Sequence, residues 1–410
     1  MTVPSVLVVG AGPAGATAAR TLALGGARVQ LLERYRLPRN KPCGGGITMR
    51  VMRRFPYLAS ALDRISTHYV SRLHLEGPSG ASAVLTSPTP AVLLIRRVEF
   101  DHLLSQLAVE AGAELVENAW VSQVSGDDDG VRVETRDGRT FSADALIAAD
   151  GVNGVVTRRI GLHGGWDGAS VALDMMEETP NERLRTVEPG TLWVSYGHGG
   201  TDGYGYIFPK RDHVNVGIGC LLSYFRAHVD RSPYEIQQQF VADLRRRGIL
   251  CGVSRREDFT PYHIPVCGPV AETGRGRVLV AGDAGGFVNA YTAEGIYYAM
   301  VSGDLAARAA LEVDMVDDPG GPRNLAPWYR LAWRREIGAE LRDSVLIQRY
   351  LFRQAARIEA VIRGAAAYRD VADTIIGYVA GTVTYAQARR RLLAQFPHVA
   401  FRLAGIALFS

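Results

Sequence analysis

The sequence predicts an α/β protein that combines a parallel, doubly wound sheet with an inserted antiparallel sheet and a helical C-terminal region. Three observations support this. A glycine-rich turn follows a short apolar strand near the start, residues 66–95 and 168–220 alternate as strands do, and residues 325–395 carry apolar residues at helical spacing. The 410 residues suit two or three domains.

Composition excludes several classes of function. The formal net charge is only +4, which gives no case for nucleic acid binding. The four cysteines lack zinc-ligand spacing and favour a reducing compartment over a disulfide framework. The first residues lack a basic leader, and no apolar run reaches the ~18–20 residues of a membrane span. We therefore expect a cytoplasmic protein that binds no metal.

The first motif predicts a Rossmann-like nucleotide site. Ser5 to Val9 is an apolar strand, Gly10-Ala11-Gly12-Pro13-Ala14-Gly15 matches G-x-G-x-x-G, an alanine-rich helix follows, and a second strand ends in Glu33. Gly10 permits the tight turn, Gly12 the approach of a pyrophosphate, and Gly15 close packing of helix and strand. Glu33 is placed to accept from ribose hydroxyls. This motif alone does not separate NAD from FAD.

A second motif favours FAD. A strand from Val278 to Ala281 leads into Gly282-Asp283, and Glu294-Gly295-Ile296 opens a long helix. Asp283 could accept from a ribityl hydroxyl at the carboxyl end of its strand, and the helix N-terminus offers positive potential to a reduced flavin. A simple NAD dehydrogenase has no use for a second site so far along the chain.

Two further pieces complete a pattern. Ala149-Asp150-Gly151 follows a buried strand, and Arg97-Val98-Glu99-Phe100-Asp101 begins a helix. With these, the chain resembles FAD-dependent enzymes of the p-hydroxybenzoate hydroxylase type. Within them it is most similar to the geranylgeranyl reductase group, on the Pro42-Cys43-Gly44-Gly45-Gly46 run and Tyr204 to Lys210.

The resemblance implies the cofactor contacts. Besides the glycines of the first motif, the predicted FAD-binding residues are Ala14, Glu33, Arg34, Cys43, Gly44, Gly46, Arg97, the backbone of Val121, Asp283, Gly295 and Ile296. It also implies a domain division, with a discontinuous FAD-binding domain at 1–65, 96–165 and 266–312. Residues 66–95 and 166–265 would form an antiparallel substrate domain, and 313–410 a helical region.

The predicted catalytic residues are Cys43, Tyr204 and Tyr206. The two tyrosines, two apart on a strand, would line one wall, although aromatic core packing explains them equally well. Tyr206 stands where the family has tryptophan. An unperturbed thiol, with a pKa near ~8.5, is mostly protonated at pH 7, so Cys43 could donate a proton or simply line the flavin.

The predicted function is FAD-dependent saturation of double bonds in an isoprenoid chain, by hydride transfer from flavin N5 plus proton delivery. The alternatives are an FAD-dependent monooxygenase of a hydrophobic or aromatic substrate and a flavin-binding protein without turnover. The electron donor would be NAD(P)H or reduced ferredoxin. The substrate would be a prenyl diphosphate, prenyl lipid or quinone. Residues 326–410 hold 13 arginines against six acids, which favours a bundle with solvated faces over a surface for peripheral membrane contact.

Overall fold

The structure, a computed structural model, describes residues 3–126, 130–312 and 325–395. The chain forms two compact units, each assembled from separate stretches of sequence. The first unit comprises Met1–Lys41, Val98–Asp167 and Ile264–Ser344. The second comprises Pro42–Arg97, Gly168–His263 and Val345–Ser410.

The strands of the described chain, numbered in order, are β1 (Ser5–Val9), β2 (Arg28–Leu32), β3 (Gly46–Thr48), β4 (Thr67–Val70), β5 (Arg72–Glu76), β6 (Ser82–Thr86), β7 (Val92–Ile95), β8 (Glu114–Val116), β9 (Val121–Gly126), β10 (Val131–Thr135), β11 (Thr140–Ala143), β12 (Ala145–Ala148), β13 (Val171–Pro180), β14 (Leu184–Thr186), β15 (Thr191–Tyr196), β16 (Gly203–Pro209), β17 (His213–Leu221), β18 (Leu250–Gly252), β19 (Phe259–Pro265), β20 (Gly274–Arg275) and β21 (Val278–Val280).

The helices are α1 (Pro13–Leu24), α2 (Arg50–Arg54), α3 (Leu58–Ala61), α4 (Arg97–Glu110), α5 (Val156–Arg159), α6 (Leu222–His228), α7 (Pro233–Arg246), α8 (Ile296–Glu312), α9 (Ala326–Trp333), α10 (Ala339–Leu351), α11 (Ala355–Ala367), α12 (Arg369–Val379) and α13 (Tyr385–Gln395). The predicted helical C-terminal part is confirmed over α9–α13. The predicted helix start at Glu294 lies two residues before the observed start of α8 at Ile296.

The first unit is built on a six-stranded sheet in the order β20-β21-β12-β1-β2-β8. The pairs among β21, β12, β1, β2 and β8 are parallel, and β20 adds an antiparallel edge. All five residues of β1 are buried, as a continuous apolar run in a parallel sheet requires. The predicted α/β fold with a parallel nucleotide-binding sheet is confirmed.

The second unit is built on a seven-stranded sheet in the order β19-β13-β17-β16-β15-β5-β6. Its central pairs β13–β17, β17–β16 and β16–β15 are antiparallel, as predicted for the inserted sheet. The β15–β5 pair is parallel, so the sheet is mixed where an antiparallel sheet was predicted. One face is covered by α7, whose Phe240, Val241 and Leu244 join the core of this sheet. The sequence Ser232-Pro233-Tyr234-Glu235 predicts a helix start with a capping box and proline at the first position. Both are present at the start of α7.

The compact units and the predicted domains divide the chain at different points. Residues 42–65 belong to the second unit, because β3 pairs with β7 and β7 pairs with β4 in a small antiparallel sheet. The C-terminal helices are divided between the two units: α9 belongs to the first unit, and α11–α13 belong to the second. Among the described residues, no helix has the length and hydropathy that crossing a bilayer requires.

Candidate active site

The turn between β1 and α1 leaves no room for side chains at two of its glycines. Gly10 has a φ of +101°, and a Cβ there would lie 2.3 Å from the Ala149 carbonyl oxygen. A Cβ at Gly15 would lie 1.8 Å from the Gly10 oxygen. A Cβ at Gly12, by contrast, would have as its nearest neighbour an Arg39 side-chain nitrogen at 3.9 Å. Bare backbone at the start of α1 thus faces open space, which is the cradle that a pyrophosphate needs.

Glu33 lies at the end of β2 and is buried. Its carboxylate accepts hydrogen bonds from the Ala11 amide at 3.0 Å and from the Tyr35 amide at 3.2 Å. The Arg39 guanidinium lies 3.3 Å from the same carboxylate and 3.0 Å from that of Asp101. Glu33 is therefore fixed against the glycine turn, just after β2, where the nucleotide-binding motif places the acid that meets a ribose.

Asp283 and the start of α8 meet beside the first motif. A Cβ at Gly282 would lie 2.9 Å from the Ala14 Cβ, and one at Gly303 would lie 2.1 Å from the Ala14 oxygen. The Asp283 carboxylate lies 3.4 Å from the place of a Gly295 Cβ, immediately before Ile296 begins α8. The two glycine motifs therefore converge on Ala14, as one extended dinucleotide requires.

The other predicted contacts occupy defined places. Arg34 is exposed, with its guanidinium 4.7 Å from the Tyr35 ring centroid and 5.6 Å from that of Trp120. Val121 begins β9 and belongs to the core of the first unit. Arg97 is buried and begins α4. The residues of the first unit fit FAD, because the cradle, the acid at the end of β2 and Asp283 lie together.

Asp150 has a local structural role. Its carboxylate accepts from the amides of Val155 at 2.6 Å and Val156 at 3.0 Å and so caps the start of α5. Burial of the carboxyl group raises the pKa of Asp150. The Ala149-Asp150-Gly151 piece therefore packs its Ala149 carbonyl against the glycine turn, while its acid accepts from the first amides of a helix.

In the second unit, the run of three glycines is packed tightly. Gly45 has a φ of +74°, and a Cβ there would lie 2.1 Å from the Ile95 oxygen. A Cβ at Gly44 or Gly46 would lie 2.8 Å from the Phe208 ring. Packing against β7 and β16 therefore already requires glycine at all three positions.

Cys43 precedes this run and is half-buried. Its Sγ accepts a hydrogen bond from the Gly45 amide at 3.4 Å, and its carbonyl oxygen accepts from the Asn215 side chain at 3.3 Å. Asn215 is fully buried on β17. The backbone and the sulfur of Cys43 are thus both held from within the second unit.

The sheet face beside Cys43 is set by strand register. Tyr206 on β16 lies opposite Gly217 on β17, and its phenol reaches Asp174 on β13 at 3.1 and 3.2 Å from the two carboxylate oxygens. Burial, then the charge of Asp174, raises the pKa of Tyr206 well above its usual value. The Tyr206 hydroxyl is therefore a neutral donor committed to Asp174.

A buried ion pair between Lys210 and Glu178 also lies near the glycine run. Lys210 is buried and forms an ion pair with Glu178, which also lies 3.6 Å from the Arg96 guanidinium. The Lys210 ammonium is 3.0 Å from the place of a Gly45 Cβ. The ion pair is thus next to the glycine run.

Aromatic rings form a continuous row in the second unit. The centroid distances are 4.7 Å for Phe208–Tyr206, 6.2 Å for Tyr206–Tyr204, 5.7 Å for Tyr204–Tyr196 and 6.2 Å for Tyr196–Phe352. Tyr204 and Tyr206 therefore share one face, as their spacing predicts. The row extends the apolar surface from the glycine run to Phe352, the residue after α10.

Sequence reasoning missed Arg39, Asp174, Glu178 and Asn215. An acid at Asp101 would need a cation as partner once buried, but the sequence has many arginines and does not indicate that Arg39 is that partner. Asp174 and Asn215 carried no signal, because each acts across strands distant in sequence. Within residues 3–126, 130–312 and 325–395, no group of three histidine, cysteine or acidic side chains could hold a metal.

The chain has relatives of known family. The family described as FAD binding domain matches residues 4–304. The chain is 31% identical over 352 residues to the chloroplastic geranylgeranyl diphosphate reductase of Oryza sativa subsp. japonica, covering 80% of this chain and 72% of the relative. It is 30% identical over 361 residues to digeranylgeranylglycerophospholipid reductase 1 of Methanothermobacter thermautotrophicus, covering 84% and 86%.

Among solved structures, the fold is similar to a geranylgeranyl bacteriochlorophyll reductase-like protein from Thermoplasma acidophilum. The TM-score is 0.81 at 20% identity, covering 98% of this chain and 100% of that one. This likeness confirms the fold, and the matched FAD-binding domain agrees with the geometry of the first unit. The chain belongs to the geranylgeranyl reductase family of FAD-dependent oxidoreductases.

Proposed function

We propose that this oxidoreductase saturates carbon–carbon double bonds of a geranylgeranyl-type isoprenoid chain. The relatives support the substrate class, since by their names they reduce geranylgeranyl diphosphate and a digeranylgeranylglycerophospholipid. The observation that carries the proposal is the placement of Cys43. Its thiol is held at the end of a tightly packed glycine run, next to an aromatic surface.

Reduction of an isolated alkene needs a hydride at one carbon and a proton at the other. FAD, when bound, supplies the hydride after taking two electrons from a donor. The protein's part there is to hold the dinucleotide, with Gly10, Gly12 and Gly15 at the pyrophosphate, Glu33 at the ribose and Asp283 at the ribityl arm. The electron donor that we propose is NAD(P)H or reduced ferredoxin.

In this proposal Cys43 supplies the proton. The S–H bond breaks as the new C–H bond forms, and the electron pair of the S–H bond remains on sulfur. The Gly45 amide, 3.4 Å from Sγ, stabilises the resulting thiolate by donating to it. Solvent then restores the proton for the next turnover.

The aromatic row supports binding of a long apolar chain. Each buried methylene contributes about 0.8 kcal/mol, so an isoprenoid can bind through apolar walls with few polar anchors. Tyr204 and Tyr206 serve as wall residues in this proposal. Tyr206 does not compete with Cys43 as an acid, because its hydroxyl already donates to Asp174.

The test is anaerobic incubation of the flavin-loaded protein and reductant with geranylgeranyl diphosphate, its phospholipid ethers and prenyl quinones, read by product mass. We expect addition of two hydrogens per reduced bond without oxygen. Cys43→Ala should keep its flavin and lose reduction by a factor of at least about 100, the usual range for loss of a general acid. Cys251→Ala, at an exposed cysteine, is the matched control.

Two results would contradict the proposal. Full turnover by Cys43→Ala would remove the thiol from the reaction. Products that gain an oxygen atom, and only in the presence of oxygen, would identify a monooxygenase instead.

A further inference from the structure

A buried acid and a buried phenol are joined across the central strands of the second unit. Asp174 is 6% exposed and Tyr206 is 5% exposed. They lie on β13 and β16, with β17 between them in the sheet. The phenol oxygen is nevertheless 3.1 and 3.2 Å from the two carboxylate oxygens of Asp174. The Tyr206 side chain must therefore lie flat across β17.

Gly217 makes this arrangement possible. It is the register partner of Tyr206 on β17 and of Met176 on β13. A Cβ at Gly217 would lie 2.4 Å from the Tyr206 hydroxyl oxygen and 2.5 Å from its Cζ. Any side chain at this position would displace the phenol. Gly219, two residues further on, has only ordinary contacts for a Cβ, the closest at 3.4 Å from the Leu173 oxygen.

The other edge of the Tyr206 ring faces the glycine run. Its Cε2 lies 3.4 Å from the place of a Gly44 Cβ, beside the Phe208 ring at 2.8 Å. Gly44 directly follows Cys43. The orientation of one tyrosine ring therefore shapes the apolar surface next to the thiol, and the hydrogen bond at its far end fixes that orientation.

We propose that Asp174 is a positioning residue that, by anchoring Tyr206 across Gly217, sets the shape of the apolar surface beside Cys43 and selects the isoprenoid chain that binds there. This inference rests on the proposed function for its substrate. A tyrosine fills less space than a tryptophan and needs a polar partner when buried. Asp174 provides that partner, and Gly217 provides the path to it.

The first experiment measures steady-state kinetics with geranyl, farnesyl and geranylgeranyl diphosphates. Asp174→Ala and Tyr206→Phe should each raise the KM of the preferred substrate about tenfold or more, the loss of one hydrogen bond to a charged group, with a much smaller change in kcat. The double variant should be no worse than either single variant. Asp174→Asn should keep a KM close to that of the parent, because its amide oxygen still accepts a hydrogen bond from the phenol.

Gly217→Ala should behave like Asp174→Ala, whereas Gly219→Ala is the matched control and should leave the length preference unchanged. Equal impairment by Asp174→Asn and Asp174→Ala would overturn the inference. So would independent, multiplicative effects of Asp174→Ala and Tyr206→Phe.

A second experiment needs neither flavin nor substrate. Alkylation of Cys43 by iodoacetamide, read by peptide mass, should be several-fold faster in Asp174→Ala and Gly217→Ala than in the parent, Asp174→Asn or Gly219→Ala, because the ring that packs against Gly44, the neighbour of Cys43, is released. Equal rates in all five proteins would overturn the anchoring role. The predicted order of rates without any prenyl reduction would instead support the anchor and overturn the proposed function together with the selection of an isoprenoid.

Discussion

Replacing Glu177 by glutamine should change how the stability of the second unit depends on pH. Glu177 lies on β13 and is fully buried. The Ser254 hydroxyl donates to one of its oxygens, while the other has no hydrogen-bond partner among the described residues. Burial is the main cause that raises the pKa of Glu177 from 4.5 to about 7. The hydrogen bond from Ser254 lowers this pKa, and the charge of Asp258 raises it further. The folded state therefore binds this proton more tightly than the unfolded chain does.

The sign follows from proton linkage. A carboxyl group with a raised pKa in the folded state stabilises it most below the unfolded value and loses that contribution as the pH rises through the folded value. Here the loss occurs between about pH 4.5 and pH 7. A tenfold change in proton affinity is worth about 1.4 kcal/mol, so the total loss is roughly 3 kcal/mol. A glutamine at this position is neutral at every pH, so the variant does not lose this stability as the pH rises.

The assay is guanidinium unfolding of the parent and Glu177→Gln at pH 5 and at pH 8. We expect the free energy of unfolding of the variant minus that of the parent to be roughly 2.5 kcal/mol larger at pH 8 than at pH 5, because part of the loss has already occurred at pH 5. Glu182→Gln, at an exposed glutamate in the turn after β13, makes the same chemical change and is the matched control. Parallel pH profiles for the parent and Glu177→Gln would refute the reasoning.

Two further substitutions test the packing around the predicted site. Gly15→Ala would place a Cβ 1.8 Å from the Gly10 oxygen, so we expect loss of bound flavin, measured as the absorbance ratio of purified protein, while Gly164→Ala, in open space, keeps full flavin content. Equal flavin content in both would contradict the close approach. Lys210→Met removes a partner of Glu178 and should cost roughly 3 kcal/mol of unfolding free energy, the lower end for a broken buried pair because Arg96 remains. Adding Glu178→Gln should recover part of that loss, and a purely additive double variant would show that the pair does not interact.

Local sequence patterns predicted the elements whose chemistry is also local. The G-x-G-x-x-G turn, the Asp283 turn and the capping box at Ser232 each depend on backbone geometry over a few residues, which residue type constrains directly. The glycine run after Cys43 was also visible. Its packing reason was not, because the Phe208 ring that excludes side chains at Gly44 and Gly46 comes from a strand far along the chain.

The sequence did not show to which unit every segment of the chain belongs. Residues 42–65 follow a nucleotide-binding motif directly, yet β3 pairs with β7 and belongs with the second unit. Hydrophobic alternation specifies that a strand has a buried face. It does not specify which other strand it pairs with, since many strands share the same pattern.

The sequence by itself determined the cofactor class, the parallel sheet that holds it and the presence of a thiol beside three glycines. These follow from residue types that permit conformations or close approaches that other residues cannot adopt. Only the tertiary structure decided that Arg39 joins Glu33 to Asp101, that Lys210 pairs with Glu178, and that Tyr206 crosses Gly217 to reach Asp174. Those partners are set by strand register and side-chain reach, and both are properties of the folded chain as a whole.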